Sequence, residues 1–351
     1  MRSFDYSTLK EKTWDHEIIS LIAQIHEYKG RQEVYLKQKP EELNKLVEIA
    51  KRQSTEASNA IEGIRTTNAR LKELCEEKTT PKNRDEEEIL GYRDVLNTIH
   101  ENYEYIPIKT NYILQLHRDL YKYTEKSIGG HFKISQNVIA AIDRNGKEYI
   151  LFTPLAPYET APAMDAICES YNKMIENDEL DAILLIPIFI HDFLCIHPFS
   201  DGNGRMSRLL TALLLYRSGY VVGKYISIES KIANNKDLYY KALEDCQSGW
   251  YDNDEDVTPF VKYMLRIILA AYRDFEERVE LVSEKLPSKE IVRRAIYSKM
   301  GKLSKSDISE LCPSIGVKSV ELALKQLVDE GVLEKKGLGR ATFYIRKDIN
   351  L

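Results

Sequence analysis

His197-Pro198-Phe199-Ser200-Asp201-Gly202-Asn203-Gly204-Arg205-Met206-Ser207-Arg208 concentrates the residue types that phosphate chemistry needs. Gly202 and Gly204 let a backbone approach a ligand closely. The stretch opens a helix, so unpaired backbone N–H groups and the positive end of the helix dipole face the loop, which makes an anion site. Arg205 and Arg208, three apart, are near neighbours on that helix and bidentate donors to phosphate. Asp201 is a hard oxygen ligand placed to share a magnesium ion with substrate phosphates. His197 can accept a proton near neutral pH. A base, a metal ligand and a phosphate cradle thus fall in one short stretch. The plainer alternative is a helix–turn–helix with a capping Asp and solvent-facing arginines. It does not explain why the histidine, both glycines and both arginines coincide.

The elements that must position this loop are mostly helical. Apolar residues recur at spacings of three and four over 17–28, 40–53, 84–100 and 110–123. The segment 181–196, just before the loop, is apolar nearly all round and predicts a buried central helix. Further helices are predicted over 161–176, 203–218, 236–246 and 259–282. One region departs from this pattern. The runs 137–142 and 148–152 are strand-like, and Asn145-Gly146 between them signals a β-hairpin. Pro154, Pro157 and Pro162 then mark a loop. At the C-terminus, 287–300, 304–312 and 317–330 read as helices, followed by two short strands around a glycine-containing turn. That order describes a winged helix.

The loop matches the Fic signature HPFx(D/E)GNGRxxR at every fixed position, and the chain resembles a Fic (Fido) protein adenylyltransferase. The resemblance implies an ATP- and Mg²⁺-dependent transfer of AMP to a Ser, Thr or Tyr hydroxyl of a protein, with Mn²⁺ as the alternative metal. His197 would be the general base and Asp201 the metal ligand. Gly202, Asn203 and Gly204 would line the anion hole, and Arg205 and Arg208 would hold the β- and γ-phosphates. Ser58-x-x-x-Glu62-Gly63 is similar to the inhibitory motif (S/T)xxxE(G/N), which places an inhibitory helix at about 54–63. Glu62 paired with Arg208 would keep the γ-phosphate off that arginine. Alone, the motif also reads as a helix end with Gly63 just past the cap. The hairpin at 137–152 corresponds to a flap that docks the target protein as an added strand, with Ile139 and Ala140 close to the nucleotide. Lys133 stands where the family often has an arginine. Tyr240 and Gln247 suit the adenosine, while Tyr239 and Trp250 fit either the pocket or the core. His191 reads as a satisfied core histidine, and His117 and His131 carry no assigned role.

Composition sets the frame. The 351 residues carry a net charge of −5, and 43% are hydrophobic, as in ordinary globular proteins. From Val282 to Leu351 there are 14 basic against 9 acidic residues, so a basic end follows an acidic body. The five cysteines show no CxxC spacing, which fits a reducing cytoplasm. No apolar run is long enough to span a bilayer. The expected architecture is all-α: an N-terminal helical region (1–109), a Fic-type core with a β-hairpin flap (110–282), and a winged-helix domain (283–351) whose partner is DNA or protein. Self-modification and a homodimer are expected. Two other functions remain open. One is a winged-helix regulator with a nucleotide-sensing Fic domain. The other is a Fic enzyme that removes AMP or transfers another phosphate-containing group.

Overall fold

The computed structural model describes residues 2–38, 40–125, 128–142, 148–283, 287–299, 301–312 and 315–347. The elements run α1 (His16–Gln38), α2 (Pro40–Ile61), α3 (Asn68–Cys75), α4 (Arg84–Asn102), α5 (Thr110–Leu120), β1 (Ile139–Ile142), β2 (Glu148–Phe152), α6 (Pro157–Glu176), α7 (Ala182–Ile196), α8 (Asn203–Arg217), α9 (Ile228–Asn234), α10 (Lys236–Asp245), α11 (Thr258–Ser283), α12 (Ser288–Tyr297), β3 (Leu303–Ser304), α13 (Lys305–Leu311), α14 (Val317–Asp329), β4 (Leu333–Lys336) and β5 (Phe343–Arg346). The fold is mostly helical with small antiparallel strand pairs.

Two compact units divide the chain: Met1–Lys29 with Ala50–Ala271, and Gly30–Ile49 with Tyr272–Leu351. The division falls inside α1, α2 and α11. It puts most of the expected N-terminal region and most of the expected core in one unit.

In the first unit α7 packs against α6 and α8, and α8 against α4. Ile183, Ile186, Phe189, Ile190, Phe193 and Ile196 of α7 are buried, as an all-round apolar helix requires. Asp181 caps its start by accepting from the Ile183 N–H at 3.0 Å. His197 ends it in the left-handed conformation, φ 50°. Gly202 then turns the chain at φ 85° into α8, and a Cβ there would lie 2.9 Å from the Tyr121 hydroxyl.

β1 and β2 pair antiparallel, Ile139 with Phe152 and Ala140 with Ile150. Leu151 is therefore an extra residue at a bulge, the kind of irregularity that re-aims a side chain. The Asn145-Gly146 turn lies outside the described residues. The proline-marked loop is shorter than expected. Pro157 opens α6 at its first position, where a missing N–H costs nothing, and Pro162 lies inside the helix.

In the second unit α12, α13 and α14 bury Ile291, Val292, Ile296, Ile308, Val320, Leu324 and Leu327 together with Leu333. A three-stranded antiparallel sheet in the order β3-β5-β4 accompanies them. The two-residue β3 is too short to leave a periodic signal in the sequence.

Candidate active site

A cavity of about 150 Å³ is lined by residues from several parts of the first unit, His191, Leu194 and Cys195 of α7 among them. His197, Gly204 and Arg208 come from the loop and α8, and Glu62 follows α2. Ile139 and Leu151 come from the hairpin, and Tyr239, Tyr240, Leu243, Glu244 and Gln247 from α10 and the turn after it. A larger groove of about 700 Å³, beside Lys109, just before α5, and Asp165, Glu169 and Lys173 of α6, contains none of the loop residues. The chemistry, not the size, picks out the smaller one.

His197 is half-buried at the end of α7. Its Nδ1 lies 3.2 Å from the Leu194 carbonyl oxygen. A carbonyl can only accept, so Nδ1 carries the proton and Nε2 presents a lone pair. Burial lowers the imidazole's pKa to about 4, helped by Lys133 and opposed by Leu194 and Glu62. The ring is therefore neutral at physiological pH.

The loop holds its own shape. Asn203 is 3% exposed. Its Oδ1 accepts from the Phe199 N–H at 3.0 Å and its Nδ2 donates to the Phe199 oxygen at 2.7 Å. The side chain is thus occupied with the backbone, and what Asn203 offers an anion is its own N–H in the first helical turn. Asp201 Oδ1 accepts from the Gly202 N–H at 2.7 Å, and its side chain is 41% exposed. Among the described residues no group of three or more His, Cys, Asp or Glu could cage a metal. One outward carboxylate beside an anion site fits magnesium, which takes few protein ligands and completes its shell with phosphate oxygens and water.

The two arginines differ. Arg208 lines the cavity and is buried. It donates from Nε to Ser58 Oγ at 2.7 Å and from Nη2 to the Ser58 carbonyl at 2.9 Å. The same Nη2 pairs with Glu62 Oε1 at 2.7 Å. Burial works against the guanidinium charge, but Glu62, Tyr239 and Tyr92 together outweigh it and the pKa is raised. Gly204 makes this approach possible, because a Cβ there would sit 2.3 Å from Glu62 Oε1. Arg205 is not among the residues lining the cavity. It is 1% exposed, pairs with Glu88 Oε2 at 2.8 Å and donates to the Tyr121 hydroxyl at 2.7 Å. Freeing one partner of such a buried pair costs several kcal/mol, about 3–5, so Arg205 fits the role of fixing α8 to α4 beside the loop.

At the other end of the cavity, Tyr240 is 42% exposed and Gln247 is half-buried. Tyr239 lines the cavity while buried against Phe260 and Tyr263. Trp250 is core, donating from Nε1 to Asp192 at 2.7 Å. Ile139 lines the cavity but Ala140 is exposed and does not, as strand alternation requires. His191 lines the cavity at 1% exposure. Its Nε2 is 3.6 Å from Cys195 Sγ and its Nδ1 has no hydrogen-bond partner, so it is buried but incompletely satisfied.

Two residues that hold the loop have no role in the sequence reading: His117 is unassigned there, and Lys133 is noted only as standing for an arginine. His117 accepts from the Gly130 N–H at Nδ1 and reaches the Asp201 carbonyl from Nε2, both at 3.0 Å, with its ring stacked 3.7 Å from Phe199. Lys133 donates from Nζ to the Ile196 carbonyl at the end of α7 at 3.0 Å and to Asn137 Oδ1 at 2.8 Å. Asn137 in turn donates to the Phe199 carbonyl at 3.1 Å. The bulged Leu151, which lines the cavity, is not anticipated either. Only the match of Lys133 to an arginine of the family hints at any of this.

Comparison with known proteins bears on the same region. Residues 107–215 match the Fic/DOC family. The chain is 27% identical over 192 residues to the protein adenylyltransferase fic-1 of Caenorhabditis briggsae, covering 52% of this chain and 32% of that protein. It is 29% identical over 211 residues to the protein adenylyltransferase Fic of Drosophila yakuba, covering 59% and 38%. The matched stretch thus spans about a third of these relatives. Among solved structures, a Fic family protein from Desulfovibrio desulfuricans superimposes over 97% of this chain and 98% of that one, with a TM-score of 0.63 at 20% identity, which speaks to the fold.

Proposed function

Since the chain carries a Fic/DOC-family domain, we propose that it is a protein adenylyltransferase whose activity is held down by its own Glu62. The observation that carries this reading is the cavity that joins His197, Gly204, Arg208 and Glu62. The polyphosphate of ATP binds at the start of α8, on first-turn N–H groups and on Arg208. Asp201 is the residue that would hold the metal, which neutralises phosphate charge when bound. Nε2 of His197 takes the proton from the target hydroxyl as its oxygen forms a bond to the α-phosphorus and the bond to pyrophosphate breaks. Tyr240 and Gln247 hold the adenosine. The hairpin, whose Tyr149 and Ile150 are exposed, offers backbone to an extended segment of the target.

The pairing of Glu62 with Arg208 supports the inhibitory reading. A guanidinium already holding a carboxylate cannot also hold a γ-phosphate, and misplaced phosphates cannot present the α-phosphorus in line. Residues 287–347 we read as a winged helix. Salt-dependent binding to duplex DNA would separate a DNA partner from a protein one.

The test uses ATP labelled at the α- or the γ-position, with the Glu62→Gly protein and a protein extract. Adenylyl transfer puts α-label and no γ-label on protein, and His197→Ala in the same background removes it. Transfer of γ-label would overturn the reading in favour of another phosphate-transfer reaction.

A further inference from the structure

The helix that leads into the inhibitory glutamate is gripped not only by Arg208 but also by Glu229 of α9 and Lys236 of α10. Ser54, Ser58 and Glu62 are spaced by four, so they share one face along the end of α2. Ser58 and Glu62 meet Arg208. Ser54, one turn earlier, donates from Oγ to Glu229 Oε2 on α9 at 2.6 Å. The Tyr92 hydroxyl of α4 donates to Glu229 Oε1 at 3.1 Å. Ser54, Tyr92 and Glu229 are 2%, 0% and 5% exposed, so these bonds form out of water, where charge-assisted hydrogen bonds are strongest.

The last carbonyl of α2 is held from α10. The helix ends at Gly63, φ 82°, with the Gly63 N–H on Ala60 O and the Ile64 N–H on Asn59 O. This motif leaves the Ile61 carbonyl open. Lys236, the first residue of α10, donates to it from Nζ at 2.6 Å, where the negative end of the α2 dipole favours a cation. One turn further on, Tyr240 lines the cavity.

From this geometry we infer that Glu229 and Lys236 are positioning residues that set how firmly Glu62 sits on Arg208, so that α9 and α10 determine the resting activity. Neither residue lines the cavity. The inference rests on Glu62 being the inhibitor. Weakening either grip loosens the end of α2, raises the population with Glu62 off Arg208, and leaves the catalytic loop as it was. Lys236 is exposed, so Lys236→Met tests the idea with little risk to folding. Glu229→Gln keeps the shape of the buried side chain and removes its charge.

The experiment measures initial rates of α-label incorporation for wild type, Lys236→Met, Glu229→Gln, Glu62→Gly and the two double variants with Glu62→Gly. Hydrogen exchange of the amides of residues 57–61 is followed alongside. Each single variant should run about five- to tenfold faster than wild type, the shift that loss of one ordinary hydrogen bond gives a two-state equilibrium. Exchange in the last turn of α2 should quicken, and neither substitution should add to Glu62→Gly. Single variants at the wild-type rate beside a fast Glu62→Gly protein overturn the inference and leave the inhibitory reading standing. A reduced rate in the double variants also overturns it, by making these residues part of the catalytic framework. A Glu62→Gly protein no faster than wild type overturns the inhibitory reading and this inference with it.

Discussion

His197 can act as a base only through Nε2, because the Leu194 carbonyl holds Nδ1. With its pKa lowered to about 4, it stays unprotonated well below neutrality. The kcat/KM for ATP of the Glu62→Gly protein should therefore be flat from about pH 8 to about pH 5.5 on account of this group, and fall only as pH approaches 4. A half-loss near pH 6.5 would mean that His197 titrates as it does in water. Asn203→Ala removes both hydrogen bonds to the Phe199 backbone and leaves those groups buried. A loss of about 1–3 kcal/mol follows, read from the denaturant midpoint. The loop residues were legible in the sequence because their chemistry is contiguous. Which arginine faces the cavity was not legible. Glu88 of α4 draws Arg205 away, and nothing near Arg205 in the sequence announces that partner. His117 escaped for the same reason, since its partners, Gly130 N–H and Asp201 O, meet it only in the fold.

At the scale of elements, α7 and the loop act as one piece because Lys133 closes the helix end. Burial lowers the Lys133 pKa to about 8, a sign that an apolar setting is tolerated for the sake of its bonds to Ile196 and Asn137. Lys133→Met should lower the melting temperature and kcat together while ATP affinity, which the proposed function places at α8 and α10, changes little. Calorimetric titration and initial rates check both halves. The long helices and the hairpin strands were readable because several periods of pattern accumulate over their length. α3, α9 and β3 are eight, seven and two residues long and are set by caps and tertiary pairing instead. Thr67 and Ser227 cap the two helices, and β3 exists only against β5.

At the scale of the whole molecule, four histidines are kept neutral by burial. His100 is lowered to about 3, and His117, His191 and His197 to about 4. Unfolded histidines bind protons near pH 6.5. The folded values are depressed, so the stability these groups contribute is complete above pH 6.5 and is lost as pH falls toward 4. Each unit is worth about 1.4 kcal/mol per group. The melting temperature should drop between about pH 6.5 and 5, before ordinary carboxylates titrate, and a flat profile there would contradict these burials. The division into two units was less legible than the site, because its boundaries fall inside continuous helices where no linker composition marks them. Under the proposed function the cavity is an adenylyl-transfer site restrained by Glu62. The most direct test of that function is the intact mass of purified wild-type, Glu62→Gly and Glu62→Gly/His197→Ala proteins after incubation with ATP and Mg²⁺. Glu62→Gly should gain one or more AMP groups, wild type little and the double variant none. Equal masses for all three, with ATP still bound, would contradict it.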